Sequence, residues 1–205
     1  MPHLVLLGDS ILDNAAYTSG GPAVIEQLKA ILPIGWHALL KAVDGATTVD
    51  IVDQLAGLPP DASHLVLSVG GNDALGRAGI LQAPTASVGN ALLMLDVVVQ
   101  EFEKNYRRAV GACLQCHLQL ILCTIYHGNF IDSRYQRMVS MALRLFNDVI
   151  IRAAMEKNLR VIDLRTVCRL PEDYANPVEP SSVGGEKIAN AIAQAVNAQA
   201  SNGSP

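Results

Sequence analysis

Five short runs rich in Val, Ile and Leu alternate with longer amphipathic segments, and this alternation most constrains the fold. The runs lack strict apolar–polar alternation, which is typical of strands buried on both faces of a parallel sheet. They are His3–Leu7, His37–Val43, His64–Val69, Leu118–Ile125 and Arg160–Leu164. Strands separated by helices predict a three-layer α/β/α sandwich.

The segments between these runs place apolar residues at steps of three and four, as in helices that pack by one face. The clearest runs from Leu92 to Cys113, another from Val139 to Ala153, and the last contains Ile188 and Ile192. No repeat or linker divides the chain. We therefore predict a single domain over 1–199, followed by a polar C-terminal tail over 200–205.

Charge and hydropathy exclude several functional classes. The net charge of −4 offers nothing to attract nucleic acid or an anionic membrane surface. No stretch approaches the roughly 18 apolar residues of a membrane span, and the apolar run before Gly8 is short for a secretory signal. We expect a cytoplasmic protein with free thiols and no membrane partner.

One cysteine motif has two interpretations. Cys113-Leu-Gln-Cys116-His117 matches the pattern of covalent haem attachment. It also lies where a predicted helix gives way to a strand, and there the cysteines serve as small apolar residues. We favour this structural interpretation and expect no cofactor.

Polar residues follow three consecutive predicted strands. The first strand is followed by Gly8-Asp9-Ser10, the second by Asp44-Gly45-Ala46-Thr47, and the third by Gly70-Gly71-Asn72-Asp73. Ligands of an open parallel sheet bind outside the carboxyl ends of its strands. A hydroxyl, a glycine N–H and an Asn amide at this edge are what acyl transfer requires: a nucleophile beside oxyanion donors.

With these blocks in this order, the chain resembles the SGNH (GDSL-like lipase/esterase) hydrolase family. The resemblance covers almost the whole chain and implies a flavodoxin-like five-stranded parallel sheet, ordered 2-1-3-4-5. It also implies that Ser10 is the nucleophile and that Ser10, Gly45 and Asn72 form the oxyanion hole. The expected function is hydrolysis of a small-molecule carboxylic or acetyl ester through an acyl-enzyme.

The segment 176–189 resembles the last block of that family but departs from it at two positions. Asn176 stands where the family has Asp, and Glu179 stands where it has the catalytic His. A buried Glu can work as a general base, and an Asn at position 176 can donate to its carboxylate and orient it. Two alternatives remain: His127 or Asp173 supplies the base, or an impaired protein only binds an acyl or carbohydrate ligand.

Metal chemistry is a further alternative, because five carboxylates are expected near this edge. They belong to Asp9, Asp13, Asp44, Asp73 and Glu179. Such oxygen ligands suit Mg²⁺ or Ca²⁺, but loop capping explains the residues without a metal, and we predict none. The largely apolar segment Ala74–Ala86 indicates a small acyl or apolar pocket wall.

Overall fold

A computed structural model describes residues 2–200, and within them five parallel strands form one sheet in the order β2-β1-β3-β4-β5. This order confirms the prediction. The strands are β1 (His3–Gly8), β2 (His37–Leu40), β3 (Ala62–Ser68), β4 (Gln119–Cys123) and β5 (Arg160–Ile162). Leu4, for example, pairs with Ala38 on one side and with His64 on the other.

Helices cover both faces of the sheet. They are α1 (Val24–Ile31), α2 (Ile51–Gln54), α3 (Gly71–Leu75), α4 (Val88–Gln115), α5 (Ser133–Glu156), α6 (Leu164–Val167) and α7 (Ser182–Ala200). Short 3₁₀ turns lie at Ala15–Tyr17, Thr48–Asp50, Ala78–Gln82 and Pro171–Asp173. The polar tail was predicted over 200–205. Ala200 still belongs to α7, and residues 201–205 lie outside the part of the chain that the structure describes. Of the helices described, none combines the length and hydropathy that crossing a bilayer requires.

The core consists of two apolar clusters, one on each face of the sheet. Successive side chains of a strand point to opposite faces. Leu4 and Leu6 of β1 therefore pack with α1, α6 and α7, whereas Val5 and Leu7 pack with α2, α4 and α5. Burial on both faces explains why the strands are almost continuously apolar.

Several strands end earlier than predicted, and the reasons are local. β2 ends at Leu40 because the N–H groups of Lys41 and Ala42 both donate to the Leu6 carbonyl. β5 ends at Ile162 because Asp163 caps α6, accepting from the Arg165 N–H at 3.2 Å. The second bond to the Leu6 carbonyl thus interrupts the regular ladder of β2, and the turn into α6 ends that of β5.

The Cys113–His117 motif forms the junction between α4 and β4. Cys113 is fully buried, α4 ends at Gln115, and His117 takes a left-handed backbone conformation with φ of 55°. The motif therefore serves as a helix end in this fold, as the structural interpretation predicted.

Asn14 ties the first βα connection to the loop that precedes the last helix. Its side chain is fully buried; Oδ1 accepts from the Val24 N–H at 2.8 Å, and Nδ2 donates to the Pro180 carbonyl at 3.4 Å. A buried amide that satisfies both segments holds them in one arrangement. Distant parts of the sequence are thereby brought to the same edge of the sheet.

Candidate active site

The nucleophile position depends on how β1 ends. Gly8 has φ of +132°, and a Cβ atom on it would lie 1.7 Å from the Ser68 carbonyl oxygen, so only glycine fits there. The Gln54 side chain bonds both the N–H and the carbonyl of Gly8 at 2.8 Å. The chain consequently turns away from the sheet at a fixed point, one residue before Asp9.

A tight turn then presents Ser10. The N–H groups of Leu12 and Asp13 donate to the Asp9 carbonyl at 3.1 Å, and the Ile11 N–H donates to Asp9 Oδ1 at 3.1 Å. Within residues 2–200, no protein group accepts a hydrogen bond from the Ser10 N–H. Ser10 thus lines the cavity with a backbone N–H that remains available to another acceptor.

Two further expected donors lie next to each other. Asn72 Nδ2 donates to the Ala46 carbonyl at 2.9 Å, which fastens the glycine turn to the start of α3. Gly45 has φ of +82°, and its N–H finds no acceptor in the described part of the chain. Asn72 lines the same cavity as Ser10, whereas Gly45 is exposed on the adjoining loop.

The loop that carries Glu179 is held by hydrogen bonds of its own. Asn176 Oδ1 accepts from the N–H groups of Val178 and Glu179, both at 2.9 Å. Asn176 was expected to donate to the Glu179 carboxylate; it instead fixes the Glu179 main chain through an Asx turn. The Tyr126 hydroxyl also donates to the Val178 carbonyl at 2.7 Å, anchoring the loop beyond β4.

Glu179 and Ser10 are neighbours in the lining of the same cavity. Burial and the charge of Asp44 raise the pKa of Glu179, while the Ser10 hydroxyl beside the carboxylate opposes that rise by hydrogen bonding. Glu179 Oε2 is buried without a hydrogen-bond partner. A raised pKa and a free oxygen make this carboxylate a suitable proton acceptor for the hydroxyl.

Asp9 is a second carboxyl group of the site, and sequence reasoning considered it only as a metal ligand. Burial raises the pKa of Asp9 to about 7; the charges of Glu179 and Asp73 add to the rise, and the Ile11 N–H opposes it. Asp9 therefore keeps its proton until near neutral pH. The signal in the sequence is an acidic residue directly after a fully buried strand.

The two alternative bases occupy different surroundings. His127 lines the cavity with Nδ1 buried and unpartnered, and burial, followed by the charges of Arg165 and Arg144, lowers its pKa. Asp173 does not line the cavity; it is fully buried, pairs with Lys187, and accepts from two backbone N–H groups. Burial acts to raise the pKa of Asp173, but Lys187 and those N–H groups hold it below its usual value.

The remaining carboxylates of the edge accept hydrogen bonds from neighbouring loops. Asp13 accepts from the Asp44 N–H at 3.0 Å, Asp44 from the Tyr17 hydroxyl at 2.7 Å, and Asp73 from the N–H and hydroxyl of Thr48. Among the described residues, no three His, Cys, Asp or Glu side chains group closely enough to hold a metal ion. Loop capping accounts for these side chains.

The cavity in front of Ser10 has a volume of about 1000 Å³, including its open mouth. Asp9, Ser10, Asn72 and Glu179 lie together at one end, and apolar side chains from α3, α4, α5 and the Ala78–Gln82 turn form most of the wall. A hydroxyl beside a carboxylate, with an unused N–H and a carboxamide nearby, can form and hydrolyse an acyl-enzyme.

A model of the GDSL-like lipase/acylhydrolase family matches residues 6–184. A search of curated protein sequences finds no significant match.

Solved structures share the fold at low sequence identity. An extracellular lipase from Streptomyces rimosus is 17% identical, with a TM-score of 0.70 over 95% of this chain and 100% of its own. A carbohydrate acetylesterase from Sinorhizobium meliloti is 13% identical, with a TM-score of 0.68 over 97% and 100%. A lipase/acylhydrolase from Enterococcus faecalis is 20% identical, with a TM-score of 0.68 over 97% of each chain.

Proposed function

This chain belongs to the GDSL-like lipase/acylhydrolase family, and we propose that it hydrolyses carboxylic esters through an acyl-enzyme on Ser10. The observation that carries the proposal is the Ser10 hydroxyl facing the half-buried Glu179 carboxylate at the polar end of the cavity. Glu179 then takes the place of the histidine in the family's last block. The alternative of an impaired protein that only binds a ligand is not favoured, because a proton acceptor is present beside the nucleophile.

In the first half of the reaction, Glu179 takes the hydroxyl proton as Ser10 Oγ attacks the ester carbonyl carbon. The carbonyl oxygen becomes an oxyanion, which accepts hydrogen bonds from the Ser10 and Gly45 N–H groups and from Asn72 Nδ2. When the intermediate collapses, the C–O bond to the alcohol breaks, and the departing alkoxide takes the proton from Glu179. The products of this half are the free alcohol and an ester of Ser10.

In the second half, water attacks the acyl carbon of that ester while Glu179 accepts the proton from water. The Ser10 Oγ–acyl bond breaks, Oγ recovers the proton, and the carboxylic acid leaves. Glu179 must be ionised in both halves, so activity is lost as the pH falls through its pKa. Because burial raises the pKa of Glu179, this loss occurs above pH 4.5, the usual value for a Glu.

The test is hydrolysis of p-nitrophenyl acetate by four proteins. Ser10→Ala is expected to abolish turnover, and a fluorophosphonate probe is expected to label Ser10 in the wild type. Glu179→Gln keeps the shape but cannot take a proton, and its kcat should fall at least about 10²-fold. Glu186→Gln, the same change on the exposed face of α7, serves as the matched control.

Two results would contradict the proposal. Turnover in Ser10→Ala equal to that of the wild type would remove Ser10 from the reaction. Full activity of Glu179→Gln combined with a large loss in His127→Gln would transfer the role of base to His127, whose unpartnered Nδ1 also lines the cavity.

We also propose that the protein works in the cytoplasm on a small-molecule ester, without a nucleic-acid or membrane partner. In support, all four cysteines are free thiols and three of them are buried, which suits a reducing compartment. The net charge of −4 supports the absence of a polyanionic partner. Subcellular fractionation tests the location; recovery in an exported or membrane fraction would contradict it.

A further inference from the structure

The cavity is lined by more than the polar groups around Ser10. The part of it lined by the Ala78–Gln82 turn, α4 and α5 is here called the apolar arm. Ile80 and Leu81 contribute one wall, Leu95 the second, and Val139 and Ala142 the third. The arm is thus enclosed by three separate elements of the fold, all on the side of the sheet that α4 and α5 cover.

The lining of the arm favours an apolar occupant. Residues 78–95, which supply two of its walls, contain no charged side chain. Arg77 also lines the cavity, but its guanidinium pairs with Glu101 at 2.6 Å and both side chains are half exposed. Sugar hydroxyls buried in this arm would lose their hydrogen bonds to water without replacement, which is costly.

The apolar lining extends beyond what an acetyl group can cover. Side chains of the Ala78–Gln82 turn, α4 and α5 line the cavity in addition to the groups around Ser10. An acetyl group would contact only the polar end beside Ser10 and would leave the apolar walls facing water. A longer hydrocarbon chain would instead remove those walls from water, which is favourable in proportion to the area covered.

We propose that the apolar arm binds the acyl chain of the substrate, so that this hydrolase prefers medium-chain acyl esters of about eight carbons to acetyl esters. The inference rests on the proposed function, because Ser10 at the polar end determines which end of the chain carries the ester. The alcohol half of the ester lies toward the open mouth. Specificity then resides in the acid, whose methylenes follow the arm.

The first experiment measures kcat/KM for p-nitrophenyl acetate, butyrate and octanoate. Each fully buried methylene is worth about fourfold. Burial of half of the six methylenes that distinguish octanoate from acetate should raise kcat/KM about 60-fold. A flat or falling series would overturn the proposal.

A variant locates the effect in the arm. Ala142→Phe introduces a ring from α5 into the arm, and the octanoate-to-acetate ratio of kcat/KM should fall at least about tenfold. Met141→Phe introduces the same ring on the exposed side of the same helix and should leave the ratio unchanged. An unchanged ratio in folded Ala142→Phe would overturn the proposal; if that variant does not fold, Leu95→Phe tests the wall opposite.

A binding measurement separates this inference from the proposed function. Octanamide and acetamide are neutral and can be titrated calorimetrically into the Ser10→Ala variant, which needs no catalysis. Octanamide should bind at least about tenfold tighter, and adding Ala142→Phe should abolish the difference. If the wild type hydrolyses no ester but octanamide binds in this way, the proposed function is wrong and the proposal that the arm binds an acyl chain is supported. If esters are hydrolysed without any chain-length preference and octanamide does not bind, the acyl-binding proposal is wrong and the proposed function is supported.

Discussion

The buried carboxyl of Asp9 predicts an unusual dependence of stability on pH. Asn replaces Asp with almost the same shape, and its Oδ1 can still accept the hydrogen bond from the Ile11 N–H. The substitution therefore removes the charge of Asp9 while it preserves the turn. Its effect on the free energy of unfolding should change with pH in a direction that the structure determines.

The magnitude follows from the pKa of Asp9. The pKa is raised from 3.8 to about 7 by burial, and one pKa unit corresponds to about 1.4 kcal/mol. Between these two pH values the folded protein holds a proton that the unfolded chain has lost, so the free energy of unfolding falls as the pH rises. The loss begins near pH 4 and is complete above pH 7, where it reaches an upper limit of about 4 kcal/mol.

Urea unfolding of the wild type and Asp9→Asn from pH 4 to pH 8 measures this. The variant should be similar to the wild type near pH 4 and more stable by up to about 4 kcal/mol at pH 8. Asp163→Asn is the matched control, because the pKa of Asp163 is shifted in the opposite direction. Arg165 lowers this pKa, burial opposes the decrease, and the hydrogen bond from Thr124 adds to it. Removing Asp163 should cost stability at neutral pH, and the cost should shrink as the pH falls. A difference between wild type and Asp9→Asn that does not change with pH would refute the reasoning.

Two further predictions concern side chains around the site. Asn72→Ala should lower kcat for p-nitrophenyl acetate about 10²–10³-fold with little change in KM, because one oxyanion donor is lost. An unchanged kcat would mean that the Asn72 amide only holds the turn at Ala46 through its hydrogen bond. Lys187→Met leaves the fully buried Asp173 without its cation and should cost about 2 kcal/mol in urea unfolding, less than a fully buried pair because Lys187 is partly exposed. That cost should diminish at low pH, where Asp173 is protonated, and a cost that grows there would contradict the assignment.

The sheet could be predicted because each of its strands has its own apolar signal in the sequence, and this signal recurs five times. Each strand is an apolar run, and the order 2-1-3-4-5, implied by the family resemblance, is confirmed. The carboxyl ends of the strands could not be predicted to the residue. Where β2 ends depends on the Leu6 carbonyl of another strand, which accepts from both Lys41 and Ala42.

The sequence indicated in part which residues meet. Ser10, Asn72 and Glu179 line one cavity, whereas Gly45, expected with them, is not part of its lining. The hydrogen-bond partner of each polar group was not predictable. An amide such as that of Asn176 can bond to the backbone or to a carboxylate, and the sequence alone does not distinguish the two. The burial of Asp9 also depends on what covers it in the folded protein, and the depth of the cavity depends on the separation of packed helices.

The link that Asn14 makes between the first and last segments has a consequence for protein synthesis. Ser10 leaves the ribosome with the first strand, whereas Glu179 follows all five strands of the sheet. Ser10 and Glu179 line one cavity, and the loop before α7 that carries Glu179 is bonded to Asn14. On the proposed assignment of Glu179 as the base, a nascent or truncated chain that lacks this loop carries the serine without its base, and hydrolysis requires the completed fold.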